Sequence, residues 1–361
     1  MQTIVNNHIA RKVGSDSQKR IDALSIGQRM QDLPEELWHE SFKYYVKYDE
    51  NRVGGPNLRI IRLDPKKPSL TVTGFIFNKF VHPFENRYIT VREALRLQGF
   101  PDDLELKGTL TSTQQQIGNA VPVPLAKAVF DQIVKQGIRA TGKKTLTAFS
   151  LFSGIGGLDI GADLTKKITT LVALDKWKDA CNTLGNYPKN KAKVMCEDIT
   201  TITDPLKFWK ENSGTNDRPD IVHGGPPCQS FSQAGKQKGL SDDRGLLIFE
   251  FLRFVEKIKP SFFVMENVSN LKGVGGGKLY KQIIEMAEAA GYSVTSDVLL
   301  AADYGTPQMR RRLLFIGSRK GLPKIQMPEP MHGQGESLFG ARPYVSVGEA
   351  FDGLPLLNKY D

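Results

Sequence analysis

The sequence predicts an α/β protein: a doubly wound, mostly parallel sheet with a second, smaller domain. Three observations carry this expectation. From about residue 145, short apolar runs alternate with amphipathic stretches, the succession that gives parallel strands with helices on both faces. The length, 361 residues, divides at roughly 150 residues per domain into a large domain plus a smaller one. Residues 1–87 read differently, as irregular chain with turn signals at Gly54-Gly55-Pro56 and Asp64-Pro65.

Taken in order, the alternating run 70–77 predicts a strand in the irregular region. Thr90-x-x-Glu93 is a capping box that opens a short helix through Leu97, and Gly99 stops it. A second helix is predicted over 124–136, with Leu125, Val129 and Ile133 at intervals of four and Gly137 at its end. Residues 137–144 read as a flexible polar linker. Beyond it, strands are expected at 147–152, 169–174, around Val194, at 220–223, at 261–265 and at 312–316. Helices fill the gaps, among them 246–258. No internal repeat or low-complexity tract interrupts the pattern.

The charge is lopsided. Forty-nine Lys and Arg against 39 Asp and Glu give +10 and a pI near 9.3, which favours a polyanionic partner, although many soluble proteins carry a basic surface. The stretch 51–87 concentrates Arg52, Arg59, Arg62, Lys66, Lys67, Lys79 and Arg87 among Phe75, Phe77, Phe80 and Phe84. It reads as a surface that lies on a phosphate backbone, or as a basic hairpin packed on its own domain. Three cysteines and no apolar leader point to a reducing compartment, here the cytoplasm. The absence of an 18-residue apolar run argues against a membrane span.

The first chemical motif is Phe152-Ser-Gly-Ile-Gly-Gly157, set between the first strand and its helix. Glycines there let the backbone turn tightly and approach a ligand at the helix N-terminus, though a tight connection alone would look the same. Asp175 ends the next strand, where a carboxylate accepts from ribose hydroxyls, and Asp198 follows the third. The pattern is not Gly-x-Gly-x-x-Gly, which argues against a dinucleotide. Gly273–Lys278 is not a phosphate loop, because Leu279 follows the lysine.

In Gly224-Gly-Pro-Pro-Cys228, two prolines fix a thiol at the carboxyl end of a strand, a setting for a nucleophile. Cys181 and Cys196 lack such a setting and read as small buried hydrophobes. Three scattered cysteines give no ligand spacing, so no metal is expected. Glu266-Asn267-Val268 leaves an apolar strand beside the cysteine strand, and such polar groups need partners. Arg310 and Arg312 fall on one face if Gln308–Arg312 is a strand.

Together these motifs, with Gln116-Ile-Gly-Asn119-Ala-Val121, the Arg92–Asp102 block and the Gly235–Gly245 loop, resemble the DNA (cytosine-5)-methyltransferases over most of residues 60–350. In the family the Arg-Glu-Ala and Gly-Asn-Ala-Val blocks close the chain. Here they precede the Phe-x-Gly-x-Gly-Gly block, so the sequence resembles a circularly permuted member from a bacterial restriction-modification system. The implied fold is a Rossmann-like methyltransferase sheet at 145–330, with 92–136 packed on it and 137–144 as the permutation joint. A small DNA-recognition domain would come from 1–91 and 331–361.

The resemblance implies S-adenosylmethionine as cofactor, leaving S-adenosylhomocysteine. Phe152, Gly154, Ile155, Gly156 and Gly157 would surround it, Asp175 would hold the ribose, and Asp198 with Ile199 the adenine. Pro227, Leu247, Asn119 and Val121 would complete the pocket. Two positions depart from the family: Asp175 replaces a more frequent glutamate, and Lys176 stands where some members carry an aromatic. Cys228 would attack C6 of a flipped cytosine, Glu266 would bond its N3 and N4 edge, and Asn267 would orient the cysteine loop. Arg310 and Arg312 would contact the base. Gln229, Ser232, Lys236, Gln237, Lys238 and Arg244, with Thr71, Thr73 and Arg96, would meet DNA. The partners so implied are duplex DNA and a companion restriction endonuclease, for a monomeric enzyme. Competing readings are an NAD-dependent dehydrogenase, a DNA reader without activity, and a transfer-RNA cytosine-5 methyltransferase. That RNA branch usually carries a Cys-Phe-Thr tripeptide, which this sequence lacks.

Overall fold

A strand covered by helices on both faces has no solvent side, and Leu146–Leu151 is buried at nearly every position. It is β1, an interior strand of a seven-stranded sheet in the computed structural model, which describes residues 5–48, 60–74, 79–227, 246–334 and 340–357. The other strands are β2 (Ile168–Asp175), β3 (Lys193–Cys196), β4 (Ile221–Gly224), β5 (Phe262–Val268), β6 (Tyr292–Leu300) and β7 (Arg311–Arg319). Their spatial order is β3-β2-β1-β4-β5-β7-β6. The first five pair in parallel, and β7 runs antiparallel to both β5 and β6. Strand order therefore reverses between β1 and β4, and a crevice opens at their carboxyl ends.

Alternate side chains of one strand go to opposite cores. Phe263 and Met265 of β5 join Phe251, Phe254 and Trp209 on one face, with helices α8 (Pro205–Ser213), α9 (Leu246–Ile258) and α10 (Lys278–Ala289). Phe262 and Val264 face the other way, onto Leu125, Val129 and Phe130 of α5 (Val123–Gln132) and Leu158 and Ala162 of α6 (Gly157–Asp163). Thus α5, which precedes the sheet in sequence, closes its second face. The chain from α5 to β1 is not a flexible linker. It continues as a wide helical turn over Ile133–Gly137 and a tighter one over Ile138–Thr141, ending at Gly142 with φ +71°. Lys143 then ion-pairs with Asp220 at 2.7 Å.

The region before α5 is sewn to this sheet. Helix α3 (Val91–Arg96) starts with the expected capping box, Thr90 accepting from the Glu93 N–H and Glu93 from the Thr90 N–H. Helix α4 (Leu110–Asn119), capped by Thr109, leads into α5. A satellite core of Ile21, Leu24, Met30, Leu33, Phe42, Ile60, Val81 and Tyr88 lies beneath α1 (Ser15–Ala23) and α2 (Glu40–Tyr48). The last helix, α11 (Val347–Phe351), packs beside α3. His8 bonds both Thr90 and the Pro355 carbonyl at 2.9 Å, bringing the two described ends together.

Part of the basic stretch expected to lie on phosphates is interior. Arg62 donates to the Ile21, Leu24 and His82 carbonyls, and Arg87 to Glu85 and Glu93. A buried guanidinium needs several acceptors at once, and here loop carbonyls and carboxylates supply them. Phe80 is buried while Phe84 is exposed. Arg52, Arg59, Phe75 and Phe77 lie outside the described residues.

Candidate active site

The crevice holds a cleft of about 630 Å³. Its floor is the turn from β1 into α6. Phe152 adopts φ +52°, Gly154 φ +54° and Gly156 φ +83°. A side chain at φ > 0 is strained, so Phe152 marks a backbone held in place by its surroundings. A Cβ on Gly157 would meet the Val121 carbonyl at 2.2 Å, which is why the turn can seat directly on the segment after α4. At Gly154 the corresponding space is open. Ile155 is buried at the same turn.

Asp175, at the end of β2, accepts from the Gly154 N–H at 2.9 Å and the Trp177 N–H at 2.8 Å. Each carboxylate oxygen keeps a further lone pair for a ligand. Burial raises this carboxyl, against the pull of those N–H groups and of Lys176. Asp198, after β3, accepts from Thr200 and stands 3.5 Å from Lys176. Those bonds hold it below the usual carboxylate range. Ile199 and Leu247 are buried, and with Phe152, Pro227, Asn119 and Val121 they line the cleft.

At the other end, Glu266 of β5 is 93% buried, showing 7% of its surface, and Arg312 of β7 donates to it at 2.7 Å. Burial pushes the Glu266 carboxyl up, while Arg312 and then Arg310 pull it down. A Cβ on Gly225 would come within 3.0 Å of Glu266, so glycine there leaves the carboxyl room. Asn267 donates from Nδ2 to the Pro226 carbonyl at 2.9 Å and so ties β5 to the turn that leads to Cys228. Cys228 itself, with Gln229, Ser232, Lys236, Gln237, Lys238 and Arg244, lies outside the described residues.

Three residues expected to meet the base or DNA are engaged within the protein. Arg310 spends its guanidinium on the Val72, Gly118 and Ala120 carbonyls, although its charge is still felt at Glu266. The strand assumed to run from Gln308 to Arg312 is broken at Arg310: Gln308–Met309 pairs with Ser69–Leu70, and β7 begins at Arg311. Thr71 spends its hydroxyl on the Met309 carbonyl, and Arg96 is held by Asp102 and the Ala350 and Asp352 carbonyls. Both side chains thus serve the fold in this geometry. Thr73 sits on the seam beside Gly118, where a Cβ on Gly118 would lie 2.4 Å from the Gly74 nitrogen. Sequence reasoning missed Trp177, Glu197 and Asn270, which also line the cleft. The signal for Trp177 was its place directly after Lys176, where the resemblance implies an aromatic in some members.

The Type II methyltransferase M.AquIA of Picosynechococcus sp. is 42% identical over 223 residues, 57% of this chain and 88% of that protein. The Type II methyltransferase M1.HphI of Haemophilus parahaemolyticus is 39% identical over 217 residues, 59% of this chain and 54% of that one. The Type II methyltransferase M.NgoFVII of Neisseria gonorrhoeae is 39% identical over 208 residues, 57% and 52%. The chain thus spans most of the first relative but about half the length of the other two. The C-5 cytosine-specific DNA methylase family matches residues 2–135 and 146–338, nearly the whole sequence, and the chain belongs to that family.

Proposed function

We propose that this protein transfers a methyl group from S-adenosylmethionine to C5 of a cytosine swung out of duplex DNA, through a covalent bond between Cys228 and C6. One observation carries the reading. A single cleft has a ribose-type carboxylate, Asp175, at one end and the Glu266–Arg312 pair beside the Pro226-Pro227 turn at the other.

The residues present fit the cofactor. Gly154 leaves open space where a Cβ would intrude, Asp175 has spare lone pairs, and Ile199, Leu247 and Trp177 offer apolar walls. The cleft volume is in the range of small-molecule sites, roughly 300–1,000 Å³. Asp175 would take the ribose hydroxyls, Asp198 the adenine edge, and the Phe152–Gly157 turn the polar tail. The cofactor supplies an electrophilic methyl group.

Cytosine C5 is a poor nucleophile until a thiolate adds to C6 and makes the ring an enamine. Asn267 holds the turn that presents Cys228. Glu266, with its carboxyl raised by burial, is suited to hold a proton toward cytosine N3 and to accept from N4. Arg312 fixes that carboxyl and would face the carbonyl edge of the base. Loss of the C5 proton then allows the Cys228–C6 bond to break. A stacked base cannot reach Glu266, so the base must leave the helix at a cost of a few kcal/mol.

Sequence reading is assigned to residues 1–91 with 331–361, and the chain to a circularly permuted architecture paired with a restriction endonuclease. The motif order supports the permutation, as does the helical joint from α5 into β1. The test is expression in a methylation-free bacterium, with 5-methylcytosine mapped by bisulfite sequencing. One fixed duplex motif protected at every occurrence is the expected result. Unmodified DNA alongside modified transfer RNA would overturn the reading. Purified protein should also form a denaturation-stable adduct with duplex containing 5-fluorocytosine at that site.

A further inference from the structure

Two cysteines that the reaction does not use flank the cofactor end of the cleft. Cys196 ends β3 in register with Asp175 of β2, and it is exposed. Its sulfur lies 3.9 Å from the Lys176 carbonyl. Cys181, in α7 (Lys178–Gly185), is buried and donates to the Asp175 carbonyl at 3.3 Å. The two thiols thus reach neighbouring carbonyls of one peptide stretch, Asp175 and Lys176, from α7 and from the end of β3. The sequence alone reads both as small buried hydrophobes, but Cys196 is open to solvent while Cys181 is buried against the preceding carbonyl.

We propose that Cys181 and Cys196 form a modification site, a dithiol that peroxide closes into a disulfide and that thereby weakens cofactor binding. The chemistry balances in two steps. Cys196 thiolate attacks hydrogen peroxide, giving the Cys196 sulfenic acid and hydroxide. The Cys181 thiol then displaces water from that sulfur and forms the disulfide; peroxide is reduced to water and two thiols are oxidised. Exposure assigns the first step to Cys196. Burial, which pushes the Cys181 thiol up, leaves it as the resolving partner.

The coupling to the cleft follows from where the sulfurs stand. Both thiols touch consecutive carbonyls, those of Asp175 and Lys176, on the backbone that aims the Asp175 carboxylate. Bonding the sulfurs removes both S–H donors and draws the start of α7 toward the end of β3. Ala180 on one side and Glu197 and Asp198 on the other are cleft walls. The walls of the ribose and adenine region therefore shift when the disulfide forms. The effect on the cofactor rests on the reading of the cleft given above; formation of the disulfide does not.

The test uses full-length Cys228→Ser, which leaves only these two of the three thiols. After peroxide, thiol titration should fall from two to none, with a mass loss of two hydrogens and a Cys181–Cys196 peptide in a non-reducing digest. Kd for S-adenosylmethionine should rise about ten-fold, inside the usual span of coupling between sites, and return with dithiothreitol. Adding Cys196→Ser should leave the reduced Kd within about two-fold and abolish the peroxide response. A Cys196 sulfinic acid with Cys181 still alkylatable, or a disulfide between two chains, would overturn the site. An internal disulfide with unchanged Kd would overturn the coupling. If the reduced protein bound no S-adenosylmethionine, the proposed function would fall, while the thiol count and peptide map would still judge the disulfide.

Discussion

Arg310 and Arg312 stand two residues apart in sequence, yet they belong to different regions with different physics. Arg312 enters the cleft and pairs with one carboxylate, Glu266. Arg310 enters a dry seam and is met by three neutral carbonyls from two separate segments, 72 and 118–120. Gln308 extends the same seam, accepting from the Val72 N–H and donating to the Leu97 carbonyl. The cleft keeps a charge ready for a ligand, whereas the seam uses one to hold two stretches of backbone together. Identical residue types in one motif therefore need not share a role, because the strand break at Arg310 reorients the chain between them.

The largest effect should come from the thiol proposed as nucleophile. Cys228→Ser should lower methyl transfer roughly 10⁴-fold or more, as loss of a nucleophile does elsewhere, while gel-shift affinity for DNA persists. Turnover near that of the wild type would remove covalent catalysis from the cleft side of the comparison. Arg310→Lys should come next, and in stability. A point-charge ammonium cannot serve three divergent carbonyls, and orphaned buried acceptors cost about 1–3 kcal/mol each, so urea unfolding should lose on the order of 3 kcal/mol. Arg312→Lys keeps one charge against one carboxylate, so it should cost less in urea unfolding than Arg310→Lys and lower turnover instead. A reversal of those two outcomes would break the distinction between seam and cleft.

Glu266→Gln sharpens the cleft half. Its amide can mimic shape but cannot hold a proton toward N3, so kcat should fall roughly 10²-fold or more. The Kd for S-adenosylmethionine, measured by calorimetry, should stay within about two-fold, because Asp175 and not Glu266 faces that end. Equal losses in both quantities would move Glu266 into the cofactor subsite.

The two regions were not equally legible in the sequence. The strand–turn–helix at the Asp175 end of the cleft could be read from the sequence, because it fixes its own geometry locally: Gly154, Gly156 and Asp175 are set by φ angles and by backbone bonds within one βαβ unit. The seam could not be read, because Val72, Gly118 and Arg310 meet across about 190–240 residues of sequence separation and only tertiary packing brings them together. The antiparallel edge strand β6 was missed for a related reason. Its middle alternates Thr295 and Asp297 with half-buried neighbours, so it lacks the apolar run that announced β1 and β5. The helical joint was missed because Gly137 and polar neighbours read as breakers, while Gly137 in fact packs against Phe262, which a Cβ would meet at 2.6 Å.

A smaller effect is expected beneath the cofactor turn. Asp159 of α6 bonds Ser150, its other oxygen lacks a partner among the described residues, and burial lifts its carboxyl to about 6 from 3.8. Buried His223, 3.9 Å away, is pushed down to about 3 and so stays neutral. A carboxyl raised on folding contributes stability that is full below pH 3.8 and lost as pH rises through about 6. Asp159→Asn should therefore gain on the order of 2–3 kcal/mol at pH 8 and nothing near pH 4, by urea unfolding at each pH. A gain independent of pH would show that packing, not charge, sets the stability there.

The smallest expected effect is none at all, and it bears on the seam as a whole. If the segment before α5 is a displaced end of the family's catalytic domain, the connection through 142–145 is one of several equivalent ways to close the chain. His8 touches Pro355, and the Leu357 N–H bonds Glu85 at 3.2 Å, so the described ends already lie on one another. A chain restarted at Lys143, with Asp361 joined to Met1 through a short Gly/Ser linker, then keeps every contact made by Arg310, Gln308 and His8. Such a linker reaches roughly 5–6 Å times the square root of its residue number, so a few residues are ample. The rearranged chain should fold, unfold with an unchanged urea midpoint, and methylate the same sites. A large loss of midpoint with linkers of several lengths would mean that the helical turn ending at Gly142 is itself needed to seat α5 against β1. The permutation would then be more than a change of connection, while the residues of the cleft would keep the roles given to them.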